Sequence, residues 1–195
     1  MTRLLHRLRA SDRGTVLTEF AVLAPTLLLL IMGAMDIAYR AYAQSVLEGA
    51  MQKAGRDSGL EGGAAQTGDI DKKVEDLVKR VAKNATFVST RKTYSTFSDV
   101  KPERFADNNN NGKLDPGECF DDVNGNKTWD SDAGIIGQGG SDDITVYRMD
   151  VTYPRLFPLY GLLGWSNSQV ISAKTVLRNQ PYGTQAVRKV ETICK

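Results

Sequence analysis

From Phe20 to Met35 the chain carries no ionised side chain, and extended back to Thr15 the run reaches the roughly 20 mostly apolar residues that a helix needs to cross a bilayer core. In lipid such a segment has one workable conformation, because a helix alone satisfies its own backbone N–H and C=O groups. Its single charge is Glu19. An ionised group inside a span costs about 3 kcal/mol, so it persists where a partner or a function compensates it. Arg3, Arg7, Arg9 and Arg13 precede the run, and Gly14 follows them. A peptidase that cut after Gly14 would create a new amine at Thr15, near enough to pair with Glu19 or with the glutamate of a neighbouring subunit.

The rest of the chain has ordinary globular composition, 41% hydrophobic and 25% charged over 195 residues, which fits one domain plus an anchor. A net charge of +2 is too small to imply nucleic acid as a partner. Arginines crowded before an apolar helix mark its cytoplasmic side. The division that follows is a basic leader over 1–14, a transmembrane helix over 15–36 and an exterior head over 37–195. Cys119 and Cys194 would then meet an oxidising compartment, where a disulfide would tie a central loop to the C-terminal end. The alternative is two free thiols.

Pro25 predicts a kink in the membrane helix. Beyond it Ile37, Ala41, Ala43, Val46, Leu47, Ala50, Met51 and Ala54 form a stripe at helical spacing, with Arg40, Glu48 and Lys53 elsewhere. One helix from about Leu17 to about Arg56 is predicted, ended by the Gly-rich stretch 59–68. A second is expected over Asp69–Ala85, capped by Asp69 with Ile70, Val74, Leu77, Val78, Val81 and Ala85 on one face. Thr86–Val100 reads as one or two strands, and Ile144–Tyr153 and Gln169–Leu177 as an antiparallel pair. The apolar segment that joins them, Pro154–Asn167, should be buried against the domain, a partner or the membrane surface. Asp142 and Asp143 read as a solvated turn. The fold class is α+β, with the sheet packed on the amphipathic half of the long helix.

Residues 107–118 fit a twelve-residue calcium loop. Asp107, Asn109 and Asn111 supply oxygens at positions 1, 3 and 5, Gly112 allows the sharp turn at 6, and the carbonyl of Lys113 serves at 7. Asp115 and Glu118 complete positions 9 and 12. Calcium is a hard cation that takes about 6 to 8 oxygens in flexible geometry, and short Asp and Asn side chains on alternate residues supply them. A weaker match follows in Asp122, Asn124, Asn126, Thr128 and Asp130, where Lys127 replaces the turn glycine and Ala133 the closing glutamate. Asp132 is a candidate substitute ligand there, and Asp121 a candidate addition to the first site. The insertion spans 105–133, and without an ion so polar a run reads as a disordered loop.

The run from Arg13 to Pro25, Arg-Gly-Thr-Val-Leu-Thr-Glu-Phe-Ala-Val-Leu-Ala-Pro, resembles the start of the TadE-like pseudopilins of tight-adherence (Tad, type IVc) pili. Met35-Asp-Ile-Ala-Tyr-Arg-Ala-Tyr-Ala43 and Val176-Leu-Arg-Asn-Gln-Pro-Tyr182 are similar too. The resemblance implies cleavage by a prepilin peptidase between Gly14 and Thr15, with Glu19 guiding subunit registration. It also implies a minor pilin that waits in the inner membrane, meets the assembly platform and other major or minor pilins, and ends outside the cell in the pilus. The calcium insertion departs from the family pattern.

Three other readings compete. Ala41-Tyr-Ala43 has the small-x-small form of a leader-peptidase site, but the apolar run is long for a signal peptide and contains Glu19. An uncleaved single-pass anchor bearing an extracellular calcium-binding module would make Glu19 a snorkelling charge. An enzyme is disfavoured because the sole histidine, His6, lies in the leader and no nucleophile elbow, HExxH or phosphate loop occurs.

Overall fold

The computed structural model describes residues 13–59, 66–180 and 188–194; Arg3, His6, Arg7, Arg9 and Tyr182 lie outside them. The elements run α1 (Arg13–Gly59), α2 (Thr67–Lys79), β1 (Thr86–Tyr94), β2 (Cys119–Asp122), β3 (Ile135–Ile136), β4 (Ile144–Pro154), α3 (Tyr160–Leu163), β5 (Ser168–Arg178) and β6 (Glu191–Cys194). Four strands form a sheet in the order β3-β1-β4-β5, and β2 and β6 form a separate ribbon. The expected α+β class holds, with a long N-terminal apolar helix and a small antiparallel sheet. Contacts divide the chain into two units, Met1–Tyr42 with Pro154–Gln169, and Ala43–Tyr153 with Val170–Lys195.

In the first unit α1 runs without a break through Pro25. Val16, Leu17, Phe20, Leu23, Leu27, Leu30 and Met35 are all exposed, as suits a helix whose solvent is lipid. Among the described residues it is the one helix long and apolar enough to cross a membrane. Just past the apolar run, Asp36 is buried and bound by Arg155 and by Gln169 Nε2 at 2.7 Å. Ile37 and Ala41, expected on the buried stripe, are exposed instead. The segment Pro154–Gln169 also differs from an interior connection: Leu156, Leu162, Leu163 and Trp165 are exposed and only Leu159 among its leucines is buried.

In the second unit the stripe begins at Ala43 and buries Leu47, Ala50, Met51 and Ala54. This face lies against β5. A Cβ at Gly55 would stand 2.9 Å from Thr175 Oγ1, so glycine permits the approach, and Gln44 Nε2 donates to the Ser172 carbonyl at 2.9 Å. α2 buries Ile70, Val74 and Val78 but stops at Lys79, short of the expected Ala85. Val81 and Ala82 both donate to the Val78 carbonyl and Asn84 turns left-handed, which ends the helix. Its cap is Gln66; Asp69 lies in the first turn.

β1 pairs with β4 antiparallel from Thr86↔Thr152 to Tyr94↔Ile144. β4 alternates as its sequence predicts, burying Thr145, Tyr147, Met149, Val151 and Tyr153, each large apolar side chain stabilising by about 1.5–3 kcal/mol. Asp71 of α2 joins helix to sheet. It accepts from Arg91 Nη2 at 2.5 Å, Ser89 Oγ at 2.7 Å and the Tyr147 hydroxyl, while the Arg91 guanidinium stacks 3.9 Å from the Tyr147 ring. Asp143 is buried, not solvated, and accepts from the Gly140 N–H at 2.8 Å and from Arg188. Cys119 and Cys194 face one another in the β2–β6 register and form a disulfide.

Candidate functional site

The acidic segment folds into two loops with the same hydrogen-bond plan. In the first, Asp107 accepts from the Gly112 N–H at 2.7 Å, Asn109 from Asn111 N–H at 3.0 Å, and Asn111 from Lys113 N–H at 2.8 Å. Asp115 accepts from the amides of Asn109 and Asn111, and Glu118 closes the loop by accepting from the N–H groups of Asn108 at 2.8 Å and Asp115 at 2.9 Å.

The second loop repeats each bond. Asp122 accepts from Lys127 N–H at 2.8 Å, Asn124 from Asn126 N–H, Asn126 from Thr128 N–H, and Asp130 from the amides of Asn124 and Asn126. Backbone conformation matches as well. Positions 4 and 6 are left-handed in both, Asn110 and Gly112 in one loop, Gly125 and Lys127 in the other, so the glycine has moved two places while the path is unchanged.

The closing glutamate of the second loop comes from upstream. Glu103 accepts from the N–H groups of Val123 at 2.8 Å and Asp130 at 2.9 Å, the same two positions that Glu118 serves in the first loop. Its own N–H donates to the Asp130 carbonyl at 3.0 Å, as that of Glu118 does to Asp115 at 3.1 Å. Asp132 is engaged elsewhere, with Lys92 Nζ and the Tyr94 hydroxyl, both at 2.6 Å. Burial alone would raise its carboxyl, but those bonds hold it below the usual carboxylate range. Asp121 pairs with Thr192 of β6.

A repeat offset by fifteen residues explains the exchange. It carries Glu103 to Glu118, Phe105 to Phe120, Asp107 to Asp122, Asn109 to Asn124, Asn111 to Asn126 and Asp115 to Asp130. Phe105 and Phe120 bridge antiparallel between the two halves, and Trp129 packs edge-on against Phe105 at 5.9 Å while donating to the Glu103 carbonyl. Each half thus lends its leading glutamate to the other's loop. The sequence pattern missed Glu103 because a twelve-residue template looks forward for its last ligand; the fifteen-residue repeat was the available signal.

Chemically the loops present oxygen donors only. Glu103, Glu118 and Asp122 are 3%, 4% and 1% exposed. Among the described residues no Lys, Arg or His pairs with them, and no three Asp, Glu, His or Cys side chains converge on a point. The carboxylates are held by backbone N–H groups instead.

At the other end of the chain Gly14 and Thr15 lie in the first turn of α1, exposed, with Thr18 Oγ1 donating to the Thr15 carbonyl at 2.8 Å. Glu19, four residues beyond Thr15, is exposed on the same helix face. The family model of the TadE-like proteins matches residues 14–56. The TadE-like segment begins at Gly14 and coincides with α1 almost to its end, well under half of the chain; the acidic loops and the sheet fall outside it. The matched segment contains the apolar run of α1, which is long and apolar enough to cross a membrane. No curated protein and no solved structure matches the chain.

Proposed function

We propose that this chain is a minor pilin, or pseudopilin, of a bacterial Tad (type IVc) pilus. A prepilin peptidase cuts between Gly14 and Thr15. α1 then holds the subunit in the inner membrane, its N-terminus cytoplasmic and its second unit outside, until the assembly platform passes it into the pilus beside other major or minor pilins. Its work is structural, in assembly, initiation or at the tip, and not catalytic. The observation that carries this is the TadE-like match beginning at Gly14, with Glu19 one turn beyond Thr15. Once cut, the Thr15 amine neutralises Glu19 in its own or a neighbouring helix, offsetting the cost of a charge in the span. Ala34, Ala38 and Ala41 are exposed and a Cβ at Gly33 would meet nothing within 4 Å, so this part of α1 is open to another helix at close range. Glu19→Ala should insert normally yet reduce surface piliation severely in cells; piliation equal to wild type would count against the assignment.

Two calcium ions staple the exterior unit. Asp107, Asn109, Asn111, Lys113, Asp115 and Glu118 hold one, the lysine through its carbonyl. Asp122, Asn124, Asn126, Thr128, Asp130 and Glu103 hold the other, Glu103 taking the role first sought at Asp132. Support comes from the donor set: all oxygens, with three buried carboxylates that pair with no Lys, Arg or His among the described residues. A buried charge left uncompensated costs several kcal/mol, and a divalent ion at each loop supplies the missing charge.

A further inference from the structure

We propose that the segment Pro154–Gln169 is a membrane-surface element that lies in the outer leaflet of the bilayer crossed by α1 and dips its apolar side chains into the lipid. This rests on the reading of α1 as a membrane anchor, and on four features of the first unit.

Residues 156–168 carry no ionised side chain, yet Leu162 is 75% exposed and Leu156, Leu163 and Trp165 are each more than half exposed. Four large apolar groups on one short segment exceed what an aqueous surface normally presents. The segment is also braced rather than loose. Arg155 N–H donates to the Asn167 carbonyl at 3.0 Å, its Nε to the Ser166 carbonyl at 2.9 Å, and Trp165 N–H to the Tyr160 carbonyl at 3.0 Å across the left-handed Gly164.

Arg155 fixes that braced segment to α1. Its guanidinium binds the buried Asp36 and lies 5.1 Å from the Trp165 ring, and Gln169 reaches the same carboxylate. Asp36 is the first charge after Glu19 along the helix. Seventeen residues at about 1.5 Å each separate the two by roughly 26 Å, close to a hydrocarbon core of about 30 Å. The tether therefore stands where α1 leaves the hydrocarbon, and the last turns of α1 before it, with Leu29, Leu30, Ile31 and Met35, are exposed as the segment's leucines are.

Composition at this level is that of a headgroup layer. Trp165 lies by Arg155, Tyr160 belongs to the same segment, and Tyr39 and Tyr42 follow Asp36 within two turns of α1; aromatic rings with one apolar and one polar edge prefer that zone. A second protein would meet the same leucines, but it would not account for their attachment at the exit of the span. The Asp36–Arg155 pair then acts as a depth stop for α1.

The test uses the full chain with Trp129→Phe, which leaves Trp165 as the sole indole, reconstituted at low protein density in phosphatidylcholine–phosphatidylglycerol vesicles. Bromine is placed at a shallow or a deep acyl position. Trp165 emission should be blue-shifted and lose most of its intensity to shallow bromine, less to deep bromine. Leu162→Asp with Leu163→Asp, both exposed positions, should return it towards the emission of an indole in water. Vesicles that float without the protein would overturn the anchor and this proposal together. Protein that floats while Trp165 is unquenched at either depth overturns this proposal alone, as does quenching or a blue shift that grows only with protein density, the mark of a protein partner.

Discussion

Glu103 carries the largest consequence for a single side chain. If it closes the second loop as Glu118 closes the first, calorimetric titration of the full chain should give two calcium ions. Glu103→Gln or Glu118→Gln should each leave one tight site, whereas Asp132→Asn, whose carboxylate serves Lys92 and Tyr94, should leave two. Two sites remaining in Glu103→Gln would refute its role. Asp71 makes a different prediction. Burial pushes its carboxyl up, but hydrogen bonds from Arg91, Tyr147 and Ser89 outweigh this and hold it below the ordinary value of 3.8. A depressed carboxylate contributes stability that is present above its unfolded value and lost as pH falls through the folded one. Denaturant midpoints should therefore fall more steeply below pH 3.8 in wild type than in Asp71→Asn, and Arg91→Ala should cost about 3 kcal/mol at neutral pH. Parallel acid profiles for the two proteins would contradict this. Residues of this kind were partly legible: the forward spacing from Asp107 to Glu118 is local, whereas Glu103, Asp36 and Arg155 meet partners that only the fold brings near.

Elements were legible in proportion to how local their determinants are. β4 and the part of α1 from Ala43 onwards announce themselves by period, because one face of each is buried, whereas the first part of α1 announces itself by its uncharged apolar length. α2 was placed correctly but drawn too long, since Val81 and Ala82 keep the apolar pattern after the backbone has turned away at Asn84. β2 and β6 left no pattern at all. Four residues each are too few to show a period, and their pairing joins positions far apart in the chain. The Cys119–Cys194 bond spans 75 residues, and on the chain-entropy account a loop of that length is worth about 4 kcal/mol. Cys119→Ser with Cys194→Ser should lower unfolding free energy by up to that amount, and reductant should do the same to wild type. Removing calcium should add to the loss, because β2 leads directly from one loop into the other. A melting temperature unmoved by reductant would mean that the ribbon holds without its cross-link.

For the molecule as a whole, the TadE-like match and the physical character of α1 describe the same stretch, while the folded second unit carries features that the match does not cover. The sequence allowed a membrane helix, an α+β head and two acidic loops to be placed in order. It did not separate the two units, because the sequence marks Pro154–Asn167 only as too apolar for an exposed connection, and its attachment emerges when Arg155 is seen on Asp36. What unites the parts is the claim that the protein is made with a basic leader and matures by losing it, so that a free amine meets Glu19. The most direct test is the intact mass and N-terminal sequence of the protein recovered from membranes of cells that carry the pilus system. The account predicts a chain that begins at Thr15, and one that still begins at Met1, or begins at Gln44, would contradict it.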